Sequence, residues 1–356
     1  MDFTPSEEQA AAQGLAARIF GDLSTHDRMV AAGSGTDAEL WKELCAAGLP
    51  GAVEETGLLG LVLLAEEQGR TTAQVPFVAS GVYGLLAVAG HGTDEQRGRL
   101  LPPLRDGTAV AAGAFPARGT VRAEPDGGPD ATTQAATGGR LSGSVALVPW
   151  LRDATHVLVA AADRSLWIVR TTDPGVVTEP VETTAPWSAG RLVLDGAPAE
   201  RLGGAGAYEE VLATARTAFA GVQAGVCAGS LARAVEHTGA REQFGRPLST
   251  NQAVLLRAAD AYMDTEAIRV TAYEAAWRHD EGLSYGAQAL NSAWWASEAG
   301  RRVVHAGQHL HGGTGADLDH PVHRHFLWGR QLDAHLGGSG AVLQELGELL
   351  VKEGPE

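Results

Sequence analysis

The stretch REQFGRPLSTNQ, residues 241–252, sets a guanidinium at Arg241, an aromatic ring at Phe244, a Gly-Arg-Pro turn at 245–247 and an amide at Gln252. The forked donors of an arginine suit a pyrophosphate better than a lysine ammonium does. A ring such as Phe244 can stack on a base, an interaction of about 1–3 kcal/mol. On spacing alone, a surface arginine followed by a core phenylalanine is the plainer account. A second stretch, HLHGGTG at 309–315, carries His309 into a run of glycines. His305 and His309 are spaced i, i+4, and His311, His320, His323 and His325 follow. Zinc can use such a set. However, H-E-x-x-H is absent, no thiol lies nearby, and the glycines imply a turn that scatters the rings, so no metal site is expected. These imidazoles are expected to fill a polar interface or to pack against an anionic ligand. No G-x-S-x-G elbow and no P-loop occur. GGAGAYEE (203–210) misses the dinucleotide spacing because Glu209 stands at the last glycine position, so it reads as an inter-domain linker.

The elements that must position these residues follow from pattern. Residues 1–107 read as helices: a start at Thr4-Pro5-Ser6 with Glu7 and Glu8 in the first turn; AELWKELCAAGLPG (38–51), ending at Gly-Leu-Pro-Gly; LLGLVLLAEEQGR (58–70), stopped by Gly69; and TDEQRGRLLPPLRDG (93–107), halted by its two prolines. From 108 to 206 the texture changes. TAVAAGAF, GRLSGSVALV, THVLVAA, SLWIVRT and GRLVLDGAPAERL read as strands of an antiparallel β domain. AEPDGGPDATTQAATGG (123–139) reads as a surface loop. From 207 to 356 the chain returns to helices, near 208–239, 250–280, 285–306, 322–336 and 339–352. No internal repeat is found.

Composition limits the function. Lys plus Arg number 27 against 43 Asp plus Glu, a formal charge of −16. That balance argues against a nucleic-acid partner, although a few local cations can still hold a small anion. No run of about 18 uninterrupted apolar residues marks a membrane span. The start MDFTPSEEQ lacks a basic n-region followed by an apolar stretch, so a cytoplasmic location is expected. Cys45 and Cys227 are expected to be two buried thiols.

AREQFGRPLSTNQAV resembles the flavin-contacting segment of the acyl-CoA dehydrogenase family. HLHGGTGADLDHPVHRHF resembles the family's second flavin segment, in which a glutamine or histidine precedes Gly-Gly-x-Gly. The resemblance covers nearly the whole chain, specifically over 208–336 and weakly in the β domain. It implies an α+β fold with an N-terminal helical domain (1–107), a middle β-barrel or sandwich domain (108–206) and a C-terminal four-helix bundle (207–356). It implies FAD lying between two subunits. Arg241 would take the pyrophosphate and Phe244 would cover the adenine end. Gln252 would stand at the family's amide position, and His309, Gly312 and Gly313 would form the second contact.

The pattern also breaks. Such enzymes need a carboxylate to remove an α proton while the flavin takes the β hydrogen. One family seat for that glutamate falls at Leu336, 24 residues after Gly312; the other falls at Ala215, just before Arg216. The flavin-ring motif T-E-P-x-x-G-S-D is matched only by GAFPARG (113–119), and the W-I-T-N-like strand by VALVPW (145–150). These gaps resemble the short non-catalytic subunit of actinobacterial α2β2 acyl-CoA dehydrogenases of the steroid side-chain type. That resemblance implies a homologous partner carrying the catalytic glutamate, FAD shared with it, and an acyl-CoA substrate. Two other readings stand beside it: a homomeric enzyme with a relocated base, Asp333 being nearest the lost seat, and a non-enzymatic scaffold.

Overall fold

The computed structural model describes residues 2–117, 119–126 and 137–353. The chain groups into two compact units, one of residues 1–30, 58–73 and 216–356, the other of 31–57 and 74–215. Two long helices, α4 (Leu49–Thr71) and α8 (Ala207–Ala240), contribute to both.

The all-helical unit opens with α1 (Glu7–Leu23), started by a capping box in which Ser6 and Gln9 bond each other's backbone. Helix α2 (His26–Ala32) follows, and α3 (Ala38–Ala46) belongs to the other unit. The expected stop at Gly-Leu-Pro-Gly only separates α3 from α4, because Leu49 and Pro50 already belong to the first turn of α4, where proline is tolerated. Nor does Gly69 stop a helix. A Cβ there would lie 2.0 Å from the carbonyl oxygen of Val222. The same closeness recurs along α8, where Cβ atoms on Gly225 and Gly229 would lie 1.9 Å from Glu66 O and 2.3 Å from Arg70 O. The spacing G221-x3-G225-x3-G229 thus lets α8 lie backbone-to-backbone on the second half of α4.

Helices α9 (Gln252–Asp280), α11 (Val322–Leu336) and α12 (Ser339–Glu353) pack along α10 (Gly286–Leu310), which lies on α8 where Gly300 meets Gln223 and Gly307 meets Ser230. Ile268, Ala293, Val304, Trp328 and Leu332 fill the bundle. By length and composition α8 could cross a membrane, but 72% of its most apolar window is buried within the protein. Its hydrophobicity is therefore that of a core helix. Beneath α8, Glu66 is 2% exposed and accepts from Arg269 Nη2 (2.7 Å), Arg70 Nη2 (2.9 Å) and Tyr273 Oη (3.0 Å).

In the second unit, α5 (Phe77–Ser80) runs through a π-helical turn at 81–86 into α6 (Ala87–His91). Helix α7 (Asp94–Arg105) continues through Pro102 and Pro103 instead of halting at them, carried by buried Leu100, Leu101 and Leu104. The seven strands are β1 (Ala111–Ala114), β2 (Val121–Pro125), β3 (Gly138–Val148), β4 (His156–Ala160), β5 (Leu166–Arg170), β6 (Val176–Pro180) and β7 (Gly190–Leu202). They form one sheet in the order β1-β4-β5-β7-β3-β2, with β6 also on β7. The sheet is mixed, not purely antiparallel, because β1 pairs parallel with β4 (Ala111 with His156). Parts of the expected loop at 123–139 are strand, namely 123–125 and 138–139, while 127–136 lie outside the described residues. Trp167, Leu141, Val157, Leu192 and Leu194 form the core. Neither cysteine is in a disulfide: Cys227 is buried, but Cys45 is only half-buried, where burial pushes its thiol up to about 11.

Candidate functional site

Arg233 and His237 on the last turns of α8 and Arg241 just past its end are spaced i, i+4, i+8 and so share one face. The Arg241 N–H donates to His237 O at 2.8 Å, extending the helical path by a residue. The chain then makes a tight hairpin of β8 (Glu242–Gln243) and β9 (Arg246–Pro247), with Gln243 paired to Arg246. Phe244 (φ 54°) and Gly245 (φ 76°) form its two-residue loop, so both central residues are left-handed. Leu248 N–H closes the turn on Arg241 O at 2.9 Å. Phe244 is 101% exposed, so the core phenylalanine that spacing alone favours is not what forms. Gln252 is the exposed first residue of α9, beyond the Asn251 cap.

Facing α8 is the end of α10. His309 is exposed in its last turn, and His311 is buried, its Nδ1–H donating to Gly307 O at 2.7 Å. A 3₁₀ turn over 312–316 follows, anchored by Gln308 Nε2 on Gly315 O at 3.1 Å. Gly312 (φ 60°) and Gly313 are exposed, and a Cβ on either would meet nothing within 4 Å. Crowding within the chain therefore does not require glycine at these positions. They leave the backbone open to close approach from outside.

Between these elements lies a cavity of about 520 Å³ lined by Arg233, Glu236, His237, Ala240, Arg241, His311 and His320. The rings of His237 and His311 stack with centroids 4.6 Å apart, and His311 meets His320 at 5.1 Å. Burial pushes His311, His320 and Arg233 below their ordinary values. For His311 the Gly307 carbonyl works partly against that shift. Two guanidiniums against one carboxylate, with three imidazoles beside them, give the wall a net positive character. The structure thus brings Arg241 together with the histidine-glycine segment through His311. His309, Gly312, Gly313, Phe244 and Gln252 do not line this cavity. Arg233 and His237 were missed by sequence reasoning, although their i, i+4, i+8 relation to Arg241 is visible in the chain. Among the described residues no group of three His, Cys, Asp or Glu is placed to hold a metal.

Leu336 and Ala215 are both buried, each 4% exposed, and neither can take a proton. Asp333 is engaged, accepting from Ser297 Oγ and lying 3.7 Å from Arg330 Nη1. Arg216 forms a two-point bond to Glu345 at 2.9 and 2.6 Å. In the sheet unit, the stretch 113–117 carries Phe115 between two tyrosines, stacked at 5.3 Å on Tyr83 and 5.8 Å on Tyr208. Tyr208 Oη also accepts from Ala117 N–H at 3.2 Å. Tyr83, Phe115 and Tyr208 are all buried.

Helices, a mixed central sheet and a bundle of long helices in that order define the acyl-CoA dehydrogenase fold. Residues 6–108 match the family described as acyl-CoA dehydrogenase, N-terminal domain, and 203–346 the acyl-CoA dehydrogenase, C-terminal domain. Acyl-CoA dehydrogenase FadE27 of Mycobacterium tuberculosis is 35% identical over 99% of both chains. Among solved structures, a variant of the Tcur3481–Tcur3483 steroid ACAD superposes with a TM-score of 0.90 at 43% identity, covering 98% of each chain. The ChsE4–ChsE5 complex from Mycobacterium tuberculosis gives 0.90 at 31% identity over 100% of each. This chain belongs to the acyl-CoA dehydrogenase family, a family of oxidoreductases.

Proposed function

We propose that this chain is the non-catalytic subunit of a heteromeric acyl-CoA dehydrogenase. It grips the nucleotide tail of an FAD whose ring site and catalytic glutamate belong to a homologous partner. The observation that carries this reading is a pairing of opposites. Both acid seats are apolar and buried, while the tail-binding end of α8 presents Arg241 to a cationic cavity. The donors fit a diphosphate, and Gly312 and Gly313 leave room beside it.

The ring end does not fit. In the stretch matching the family's ring-binding motif, Ala114 and Phe115 stand before Pro116 where the motif has a hydroxyl and a carboxylate, and Phe115 is already stacked between Tyr83 and Tyr208. Bound in the complex, the flavin supplies the hydride acceptor for α,β-dehydrogenation of an acyl-CoA. This chain's own part is to hold the tail with Arg241 and His309, to cover it with Phe244 and to place Gln252 at its edge. A partner of the same family also suits α9. Leu255, Leu256, Tyr262, Met263 and Val270 form an apolar stripe at helical spacing, each about half exposed or more. The named neighbours that are two-protein complexes, one of them called a steroid ACAD, support a heterotetramer acting on a bulky, steroid-type acyl group in lipid breakdown. We place it in the cytoplasm.

The test is co-expression with a catalytic acyl-CoA dehydrogenase subunit, reading flavin absorbance and acyl-CoA-dependent dye reduction. The complex should be yellow and active, and this chain by itself colourless. Arg241→Ala should strip FAD from the complex, and Asp333→Asn should leave its turnover unchanged. Full FAD on the isolated chain, with activity lost in Asp333→Asn, would overturn the reading.

A further inference from the structure

Arg233 is the unexplained charge in the cavity. It lies on the same helical face as Arg241, it is partly buried, and it makes no hydrogen bond or ion pair with any other described residue. Its acidic neighbour Glu236 is exposed. A partly desolvated guanidinium with no hydrogen-bond partner is left with open donors, and an anion entering the cavity supplies the acceptors they lack.

The imidazoles opposite share the problem. With Nδ1–H of His311 committed to Gly307 O, its Nε2 holds the lone pair. The groups facing these rings are Arg233, Glu236, His237 and Arg241 from α8, His311, Asp317 and His320 from the segment after α10, and His323 from α11. Only Glu236 and Asp317 among them are acidic. Without an anion, burial and neighbouring cations hold His311 and His320 below the ordinary imidazole value. With one, the same rings become proton acceptors.

Deepening the reading above, we infer that Arg233 is a second diphosphate-binding guanidinium, and that His311 and His320 take up protons as a nucleoside diphosphate enters. The cavity is built from this chain's residues alone, so the full chain can be tested by itself. Calorimetric titrations with ADP, inorganic pyrophosphate and adenosine, in buffers of different ionisation enthalpy, read affinity and proton uptake together. ADP and pyrophosphate should bind and adenosine should not. Affinity should rise several-fold between about pH 8 and about pH 6, with net proton uptake. Arg233→Ala should weaken ADP about tenfold or more, with Arg233→Lys restoring only part because an ammonium lacks the fork. His311→Asn should flatten the pH dependence and leave the Arg233 effect in place.

Absence of diphosphate binding, equal affinity in Arg233→Ala, or a flat pH profile would each overturn the inference. The proposed function is judged separately on the flavin of the complex. FAD lost in Arg241→Ala but retained in Arg233→Ala removes only this inference, whereas retention in both removes the function as well.

Discussion

Phe244 sets stability against binding in a way that can be measured. Its backbone is left-handed (φ 54°), a region that costs a residue other than glycine roughly 1–2 kcal/mol. It recovers nothing by burial, since the side chain is wholly exposed. A two-residue hairpin loop of this kind prefers Asn-Gly, because asparagine tolerates the left-handed region. Phe244→Asn should therefore stabilise the isolated chain by about 0.5–1 kcal/mol. The same change removes the ring that the proposed function stacks against the adenine end of FAD. At about 1–3 kcal/mol per stacked base, FAD affinity of the complex should fall about 5- to 150-fold. Urea denaturation of the free chain gives the first quantity and flavin fluorescence of the complex the second. The two must move in opposite directions. A variant that is less stable than the parent, or that holds FAD as tightly, refutes the argument that strain at this turn is kept for a ligand outside the chain.

Three further outcomes follow from the helical unit. Glu66→Gln should cost about 2–4 kcal/mol, somewhat below the usual 3–5 for a broken buried pair because Arg70 keeps Glu67 and Arg269 keeps Glu266; chemical denaturation with an unchanged m-value checks it. Gly225→Ala should destabilise by about 1–3 kcal/mol or more, because its Cβ would meet the Glu66 carbonyl, whereas Gly14→Ala on exposed α1 should stabilise by about 0.5–1 kcal/mol; equal effects at the two sites would be contrary to the close crossing. Burial drives His325 down to about 4, and its Nε2–H donates to Arg70 O at 3.0 Å. Its folded value lies below the unfolded one, so its contribution is complete above about pH 6.5 and is lost as pH falls from there toward about 4. His325→Gln should therefore remove on the order of 2–3 kcal/mol of pH-dependent loss over that window, read as the difference between the two stability–pH curves.

Legibility of the chain depended on burial. The runs VLVA (157–160) and LWIV (166–169) are continuously apolar because every side chain in them is buried, so they could be recognised as strands. VVTEP (176–180) could not, because β6 is largely exposed and ends in proline, leaving no alternation to detect. The parallel pairing of β1 with β4 is a contact between distant segments and leaves no local trace. Gly69 and Pro102 misled for one reason: packing of an apolar face outweighed a residue's local preference. In the site, Arg241 was legible through motif resemblance, and Arg233 and His237 lay at readable helical spacing. His320 was not legible as a neighbour of His311, because the turn at 312–316 brings it there.

The strongest case for divided labour lies in how one helix treats its arginines. At Arg216, beside an emptied acid seat, the guanidinium is satisfied within the chain by both oxygens of Glu345. Asp333, near the other seat, is occupied by Ser297 and Arg330. Both carboxylates are thus engaged by partners within the chain. At and just past the far end of α8, Arg233 and Arg241 make no ion pair among the described residues and face a cavity with three imidazoles. Had the chain lost its function entirely, internal pairing would be expected at both ends. Donors left open where the diphosphate is proposed to lie suit the proposed tail-gripping subunit, whose missing acid a partner would supply.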